Sequence, residues 1–169
     1  KKEIWLHHTN NTLQAFKNVL SKLNNEEAAP LPICVFINST DIIYSLMKQL
    51  DLLEESAVFC APKSVDKLKK NRFCNVYEQW NKDKMKRYNF FTSRFFNAVD
   101  MELEEQPHVI MLTDVYFAEH TMIDPYTDAI QIVGRFRNGV SSITYISNTK
   151  KGLPQRSKEE IKGYLICSK

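Results

Sequence analysis

The sequence contains few glycines, four among 169 residues, which is about a third of the average usage of about 7%. Loops that cradle phosphates need several glycines close together, because backbone N–H groups must approach the anion and some φ angles must be positive. Neither the G-x-x-x-x-G-K-[ST] pattern of P-loops nor the G-x-G-x-x-G pattern of dinucleotide-binding folds occurs. We therefore expect that this chain does not hold a nucleotide by either route on its own.

The spacings that bind metals and the apolar runs that span membranes are also missing. The four cysteines and four histidines form no C-x-x-C and no H-E-x-x-H pattern, so no metal site is expected. Three of the cysteines lie in or beside apolar runs, which predicts buried, reduced thiols and a cytoplasmic location. The longest apolar stretches have about four residues, whereas a membrane-spanning helix needs about 20. We expect no signal peptide and no membrane partner.

Length and charge favour one globular domain covering residues 1–169. A content of 43% hydrophobic and 25% charged residues is typical of a chain that folds around a single core. Lysine and arginine number 23 and aspartate and glutamate 20, so the net charge is only +3. That charge is too small to indicate nucleic-acid binding by itself.

Short apolar runs alternate with segments of helical periodicity along the chain. This alternation predicts an α/β fold with three layers, α/β/α, and a mainly parallel central sheet. The predicted strands are residues 3–7, 33–37, 56–60, 88–92, 108–112 and 142–146. The predicted helices include residues 9–25, 65–70 and 124–136, and a helix after the capping residues 38–41.

Residues 71–87 form a basic stretch that also contains aromatic side chains, and no element is predicted there. Such a stretch is consistent with a nucleic-acid contact and also with a solvated helix face, the interpretation that we favour from the sequence alone. Its members are Tyr77, Trp80, Lys82, Lys84, Lys86 and Arg87.

Residues 128–139 contain the most distinctive chemistry of the sequence. On a helix, Gln131 and Arg135 are four residues apart and project from one face. Arg137 lies where this helix is expected to fray, so it can reach the same ligand. Two guanidinium groups suit the oxygens of a phosphoryl group, because each offers a planar fork of permanently charged donors. An ordinary amphipathic helix with surface arginines would give the same pattern.

The segment Gln131-x-x-Gly134-Arg135-x-Arg137 resembles motif VI of superfamily 2 helicases. Residues 92–100, with a threonine and an aspartate eight apart, resemble motif V, and residues 32–39 with the following helix resemble motif IV. The resemblance covers residues 33–147. Motif V here has Ala98 in place of its usual glycine. The arginines follow R-x-R rather than R-x-x-R, a variant that resembles viral origin-binding helicases.

This resemblance implies the second, C-terminal RecA-like domain of a DEAD/DEAH-type helicase, a P-loop NTPase fold that lacks the P-loop. The chain would then be a fragment of a longer protein whose first motor domain holds most of the ATP and Mg²⁺. Arg135 would be an arginine finger with Arg137 as its partner, the two catalytic residues. Gln131, Gly134 and Asp100 would contribute to ATP binding.

The resemblance also implies contacts to DNA or RNA, together with a partner, the N-terminal RecA-like domain of the same parent chain. The residues expected to bind nucleic acid are Thr92, Ser93, Asn38, Ser39 and Lys63. Such contacts grip the backbone without distinguishing its sequence. Two other functions remain open. One is a signalling module that accepts a phosphoryl group on Asp114, and the other is a nucleic-acid-binding or interaction module of α/β fold without ATPase activity.

Overall fold

The computed structural model describes residues 2–9, 11–26, 31–92, 95, 101–113, 127–148 and 163–165. The strands are β1 (Lys2–Thr9), β2 (Ile33–Phe36), β3 (Ser56–Phe59), β4 (Val76–Tyr77), β5 (Tyr88–Phe91), β6 (His108–Thr113), β7 (Ser142–Asn148) and β8 (Gly163–Leu165). The helices are α1 (Thr12–Glu26), α2 (Thr40–Gln49), α3 (Pro62–Lys70) and α4 (Thr127–Gly134).

The strands form one eight-stranded sheet in the order β4-β3-β5-β2-β6-β7-β1-β8. Every pair of neighbours is parallel except β1 and β8, which are antiparallel. The mainly parallel α/β sheet is therefore confirmed, and each of the six predicted strands is present. The predicted start of the first helix is wrong, because Thr9 belongs to β1 and the Asn11 side chain accepts the Gln14 N–H at 3.0 Å at the start of α1.

The sheet is covered on both faces, and alternate residues of each strand point to opposite faces. In β2, Ile33 and Val35 pack into a core shared with α1, α2 and α3. Cys34 and Phe36 of the same strand pack into a second core with Ile132 of α4. These two cores give the three layers expected from the continuous apolar runs.

The shortage of glycine extends to the ends of two helices. After α2, the Leu52 N–H donates to the Met47 carbonyl at 2.8 Å, which closes a Schellman turn. The turn places Asp51 at φ 58°, and the same arrangement after α3 places Arg72 at φ 67°. Glycine is the residue that such left-handed positions favour, because a Cβ atom there clashes with the backbone.

The substitution Asp51→Gly should therefore stabilise the fold by about 0.5–1 kcal/mol, since it removes the left-handed strain at the end of α2. The corresponding rise in the melting temperature is about 1–4 °C for a chain of this size. Thermal unfolding followed by circular dichroism measures it. Asp51→Ala is the matched control, because it removes the carboxylate and keeps the Cβ atom. Equal stability of the two variants would contradict the strain at this position.

The thiols partly follow their prediction. Cys34 and Cys60 are free and buried, and Cys74 is free and exposed, while Cys167 lies outside the described residues. Burial raises the pKa of the Cys34 thiol far above its usual range. Within the described ranges, no helix is long and apolar enough to cross a membrane.

Candidate functional site

Three phenylalanines stand side by side at the carboxyl ends of β3, β5 and β2. Strand register pairs Phe91 with Phe59 on one side and with Phe36 on the other. The Phe91 ring stacks on the Phe59 ring at a centroid distance of 5.1 Å and on the Phe36 ring at 4.9 Å. We call these three residues the aromatic ladder. All three are fully buried, and each is the last residue of its strand.

Strand pairing continues for one residue beyond the aromatic ladder. The Ile37 N–H donates to the Phe91 carbonyl at 3.0 Å, and the Thr92 N–H donates to the Phe59 carbonyl at 3.2 Å. The residues that follow β2 and β5 therefore leave the sheet next to each other. Asn38, Ser39 and Thr92, all predicted to bind nucleic acid, are brought to one edge of the sheet in this way. Ligands of open α/β sheets bind at this carboxyl edge.

The starts of α2 and α3 are tied together at the same edge. The Ser39 hydroxyl accepts the Ile42 N–H at 3.3 Å and caps α2. The Thr40 hydroxyl donates to the Ser64 hydroxyl at 2.8 Å. Lys63 lies in the first turn of α3 and is exposed. The structure thus places Lys63 beside the two strand ends that hold the other predicted contacts.

The residues predicted to contact nucleic acid differ in their access to solvent. Thr92 is 8% exposed, whereas Asn38 and Ser39 are half-buried. Three residues named from the sequence, Ser93, Asp100 and Asp114, lie outside the described residues.

The arginine segment departs from the predicted helix. Helix α4 ends at Gly134, so the prediction that the helix continues through residue 136 is wrong, and Arg135 lies one residue beyond its end. The last turn tightens, with the Arg135 N–H donating to the Ile132 carbonyl at 3.0 Å and the Phe136 N–H to the Val133 carbonyl at 3.1 Å.

A backbone bridge to Met101 holds the two arginines. The Met101 N–H donates to the Arg135 carbonyl at 2.6 Å, and the Arg137 N–H donates to the Met101 carbonyl at 3.2 Å. Together they make a parallel bridge between Met101 and Phe136. Arg137 therefore does not lie in a fraying helix end, as the sequence suggested, because its backbone is fixed by this pairing.

Arg135 and Arg137 flank Phe136 in the turn that follows α4. Phe136 is buried at 5% exposure, while Arg135 is half-buried and Arg137 is exposed. The Gly139 N–H donates to the Phe136 carbonyl at 3.0 Å and closes the next turn. The R-x-R spacing therefore sets one arginine on each side of a buried aromatic residue in the chain.

Phe136 connects the arginine segment to the aromatic ladder. Its ring meets the Phe36 ring edge-on at a centroid distance of 6.2 Å and an angle of 90°. One ring of the ladder therefore contacts the arginine segment, and the residues predicted to bind nucleic acid follow the strands that contain the ladder. The arginine segment and the predicted nucleic-acid contacts are thus connected through the same buried aromatic residues.

Two glycines near the arginines behave differently. A Cβ atom at Gly134 would meet nothing within 4 Å, so the isolated domain does not require glycine at this position. Gly139 has φ +89°, and a Cβ there would lie 3.2 Å from the Gln106 side chain. The requirement at Gly139 belongs to the turn that follows the arginines.

Sequence reasoning missed the residues that position the site rather than those that form it. Met101 and the aromatic ladder had no assigned role, although each ladder phenylalanine lies in an apolar run of a predicted strand. The Asn138 side chain, which donates to the Leu103 carbonyl at 2.6 Å, was missed as well. These contacts join segments more than 30 residues apart, and no local pattern indicates them.

Metal-binding side chains do not cluster in the part of the chain that the structure describes. Within those ranges no three histidine, cysteine, aspartate or glutamate side chains are grouped so as to hold a metal ion. The side chains that suit a phosphate are the two guanidiniums and the exposed amide of Gln131.

Comparison with known proteins concerns the fold alone. No protein-family model matches the sequence, and no curated protein does. Among solved structures, the C-terminal domain of the DEAD-box protein Dbp5 superposes with a TM-score of 0.50 at 13% identity, over 89% of this chain and 77% of that one. The predicted fold class is confirmed by this similarity: the chain is a RecA-like α/β domain.

Proposed function

We propose that this chain is the second motor domain of an ATP-dependent nucleic-acid helicase or translocase. The observation that carries the proposal is the Met101 bridge, which fixes the backbone of Arg135 and Arg137 just after α4 in a RecA-like fold. The similarity to the C-terminal domain of a DEAD-box protein supports it, as does the resemblance of the segment to motif VI.

The arginine segment suits the triphosphate of ATP. Guanidinium forks match phosphate oxygens in geometry and stay charged at every relevant pH. Bound ATP supplies the phosphoryl group that is transferred to water, and its Mg²⁺ would be held mainly by the first motor domain. Arg135 would stabilise the charge that develops on the γ-phosphate, with Arg137 beside it. Gln131, Gly134 and Asp100 would complete this side of the cleft.

The carboxyl edge of the sheet would grip nucleic acid. Hydroxyl, amide and ammonium groups there would contact the phosphate backbone through Thr92, Ser93, Asn38, Ser39 and Lys63. Such contacts fix the position of a strand and do not distinguish its bases. The substrate class is therefore DNA or RNA of mixed sequence.

Motion between the two motor domains would couple the two halves of the site. The arginines meet ATP only when the first domain closes on this one, and hydrolysis releases the contact. Phe36 of the aromatic ladder contacts Phe136 of the arginine segment, and Phe91 of the ladder directly precedes Thr92. Closure would therefore move the nucleic-acid grip as a rigid unit with the arginines.

The substitution Thr92→Ala tests the grip. A hydrogen bond to a charged group contributes about 1.5–3 kcal/mol, so we expect roughly tenfold weaker binding of a single strand, or ATP hydrolysis that no longer responds to it. Thr92→Ser keeps the hydroxyl and is the matched control. Unchanged binding and unchanged stimulation in Thr92→Ala would remove Thr92 from the grip.

The coding sequence upstream of this chain provides an inexpensive test of the ATPase proposal. A P-loop and an acidic metal-binding motif are expected within the preceding few hundred residues or so. Their absence, in a protein that still binds nucleic acid, would instead favour a binding module without ATPase activity.

A further inference from the structure

The positive charge of the chain is concentrated in one segment. Residues 63–87 contain nine lysines and arginines and three acidic residues, a net charge of +6, whereas the whole chain carries only +3. This segment consists of α3, β4 and the residues that lead into β5. A positive charge of this size indicates a negatively charged partner at the β4 edge of the sheet.

A groove of about 440 Å³ lies within this segment, between α3 and the residues after β4. Lys69 of α3 and Lys84 contribute positive charge to its lining, Tyr77 and Trp80 contribute aromatic rings, and Glu78 is its acidic member. The Lys84 ammonium lies 5.6 Å from the centre of the Tyr77 ring. The groove thus combines ammonium groups with aromatic surfaces.

Trp80 is unusual among the residues of this groove. It is half-buried, and its Nε1 atom is buried with no hydrogen-bond partner among the described residues. A buried N–H without an acceptor is uncommon in folded proteins and calls for an explanation. A ligand with acceptor oxygens would satisfy this group if the indole turned toward the groove.

We propose that the groove between α3 and β4 binds single-stranded nucleic acid. Aromatic side chains that stack on bases, next to lysines that contact phosphates, are the recurring means of binding single strands without sequence preference. The volume falls in the range of about 300–1,000 Å³ typical of pockets for small organic groups. It therefore suits a nucleobase with its phosphate.

The position of the groove extends the grip proposed above, and in this respect the inference rests on the proposed function. β4 is the edge strand beside β3, and the Cys60 N–H donates to the Tyr77 carbonyl at 3.0 Å. Helix α3 begins after β3 with Lys63 in its first turn. A single strand of nucleic acid that passes over the carboxyl ends of β2, β5 and β3 would continue into the groove.

Charge reversal of the two lysines tests the proposal. Lys69→Glu with Lys84→Glu should weaken binding of oligo(dT) and oligo(U) of about 16 nucleotides by roughly tenfold. The slope of log K against log salt should become shallower by about 1.4, since each phosphate contact on a single strand contributes about 0.7.

Lys17→Glu with Lys48→Glu is the matched control for this pair. It changes the net charge equally, and both lysines are exposed. Lys48 lies in the last turn of α2, as Lys69 lies in the last turn of α3. The Lys48 ammonium also lies over an aromatic ring, 5.9 Å from the centre of Tyr44, which matches the position of Lys84 over Tyr77. The control should bind both oligonucleotides within a few-fold of the unmodified chain.

A second measurement does not depend on the charge variants. Trp5 and Trp80 are the two tryptophans of the chain, so Trp5→Phe leaves Trp80 as the sole reporter. Base stacking in the groove should quench its fluorescence with the same dissociation constant that direct binding gives. Polyglutamate of matched charge should neither bind as tightly nor quench.

The outcomes separate this inference from the proposed function. Binding that leaves Trp80 fluorescence unchanged and is unaffected by the lysine pair overturns the groove and leaves the carboxyl-edge grip in place. Absence of any binding to either oligonucleotide overturns both. Equal binding of polyglutamate would assign the groove to acidic proteins instead. Quenching by either oligonucleotide, lost in the lysine pair but not in its control, supports the proposal.

Discussion

Replacing Arg135 with alanine should lower nucleic-acid-stimulated ATP hydrolysis by about 10³–10⁵-fold in a protein that joins this chain to its first motor domain. The guanidinium would act where charge develops on the transferring phosphoryl group, and a methyl group cannot replace it. The affinity for nucleic acid should stay within a few-fold of that of the unmodified protein. The residues predicted to contact nucleic acid lie at the ends of β2, β3 and β5, and Arg135 is not among them.

Two companion variants make this result specific. Arg135→Lys keeps the positive charge without the planar fork, and we expect it to restore only a small part of the rate. Lys17→Ala removes a positive charge from the exposed face of α1 and should leave hydrolysis unchanged. Full activity of Arg135→Ala in steady-state assays would remove Arg135 from catalysis.

Replacing Phe91 with alanine should lower the free energy of unfolding by about 3–5 kcal/mol, a large part of the 5–15 kcal/mol that usually holds a domain folded. The Phe91 ring is fully buried and stacks on two other rings of the aromatic ladder. Its loss would leave a cavity directly beneath the residues that follow β2 and β5. Urea unfolding followed by circular dichroism measures the change.

Phe90 supplies a control one residue away. It is equally buried, belongs to the same strand and packs on the opposite face, where its ring lies 6.3 Å from that of Phe16. Phe90→Leu and Phe91→Leu should lower stability by similar amounts, about 1.5 kcal/mol or less. Nucleic-acid binding should weaken only in Phe91→Leu. Equal binding by the two variants would contradict a supporting role for the aromatic ladder.

The fold was predictable from the sequence where hydrophobic patterning is strong and local. The apolar runs of β2, β5 and β6 lie in strands that are covered on both faces, so burial alone specifies them. β4 and β8 escaped prediction because each has only two or three residues and depends on pairing with a distant strand. No apolar run surrounds β4, and the apolar run at residues 164–167 is too short to mark a strand by itself.

The sequence indicated which residues form the candidate site better than how they are arranged. The residue types of Gln131, Arg135 and Arg137 predict phosphate contacts, and the resemblance to motif V implies one for Thr92. Helical periodicity then extended α4 through Phe136, whereas pairing with Met101 ends the helix at Gly134. Met101 and Phe136 are 35 positions apart in the sequence. Tertiary hydrogen bonds of this kind override local helix propensity.

The scarcity of glycine acquires two separate explanations. The chain lacks a phosphate-cradling loop because, in our proposal, the first motor domain provides it. The turns that follow α2 and α3 also contain Asp51 and Arg72 in a conformation that favours glycine. The first explanation concerns function and the second concerns stability, and different variants test them.

The central claim is that this domain completes an ATPase by supplying arginines to a nucleotide held by another domain. The most direct measurement is the rate of ATP hydrolysis by the first motor domain at saturating single-stranded nucleic acid, with and without this chain attached. We expect attachment to raise the rate by about 10³-fold or more, and the double variant Arg135→Ala with Arg137→Ala to abolish the increase. Equal rates with and without the chain would contradict the account.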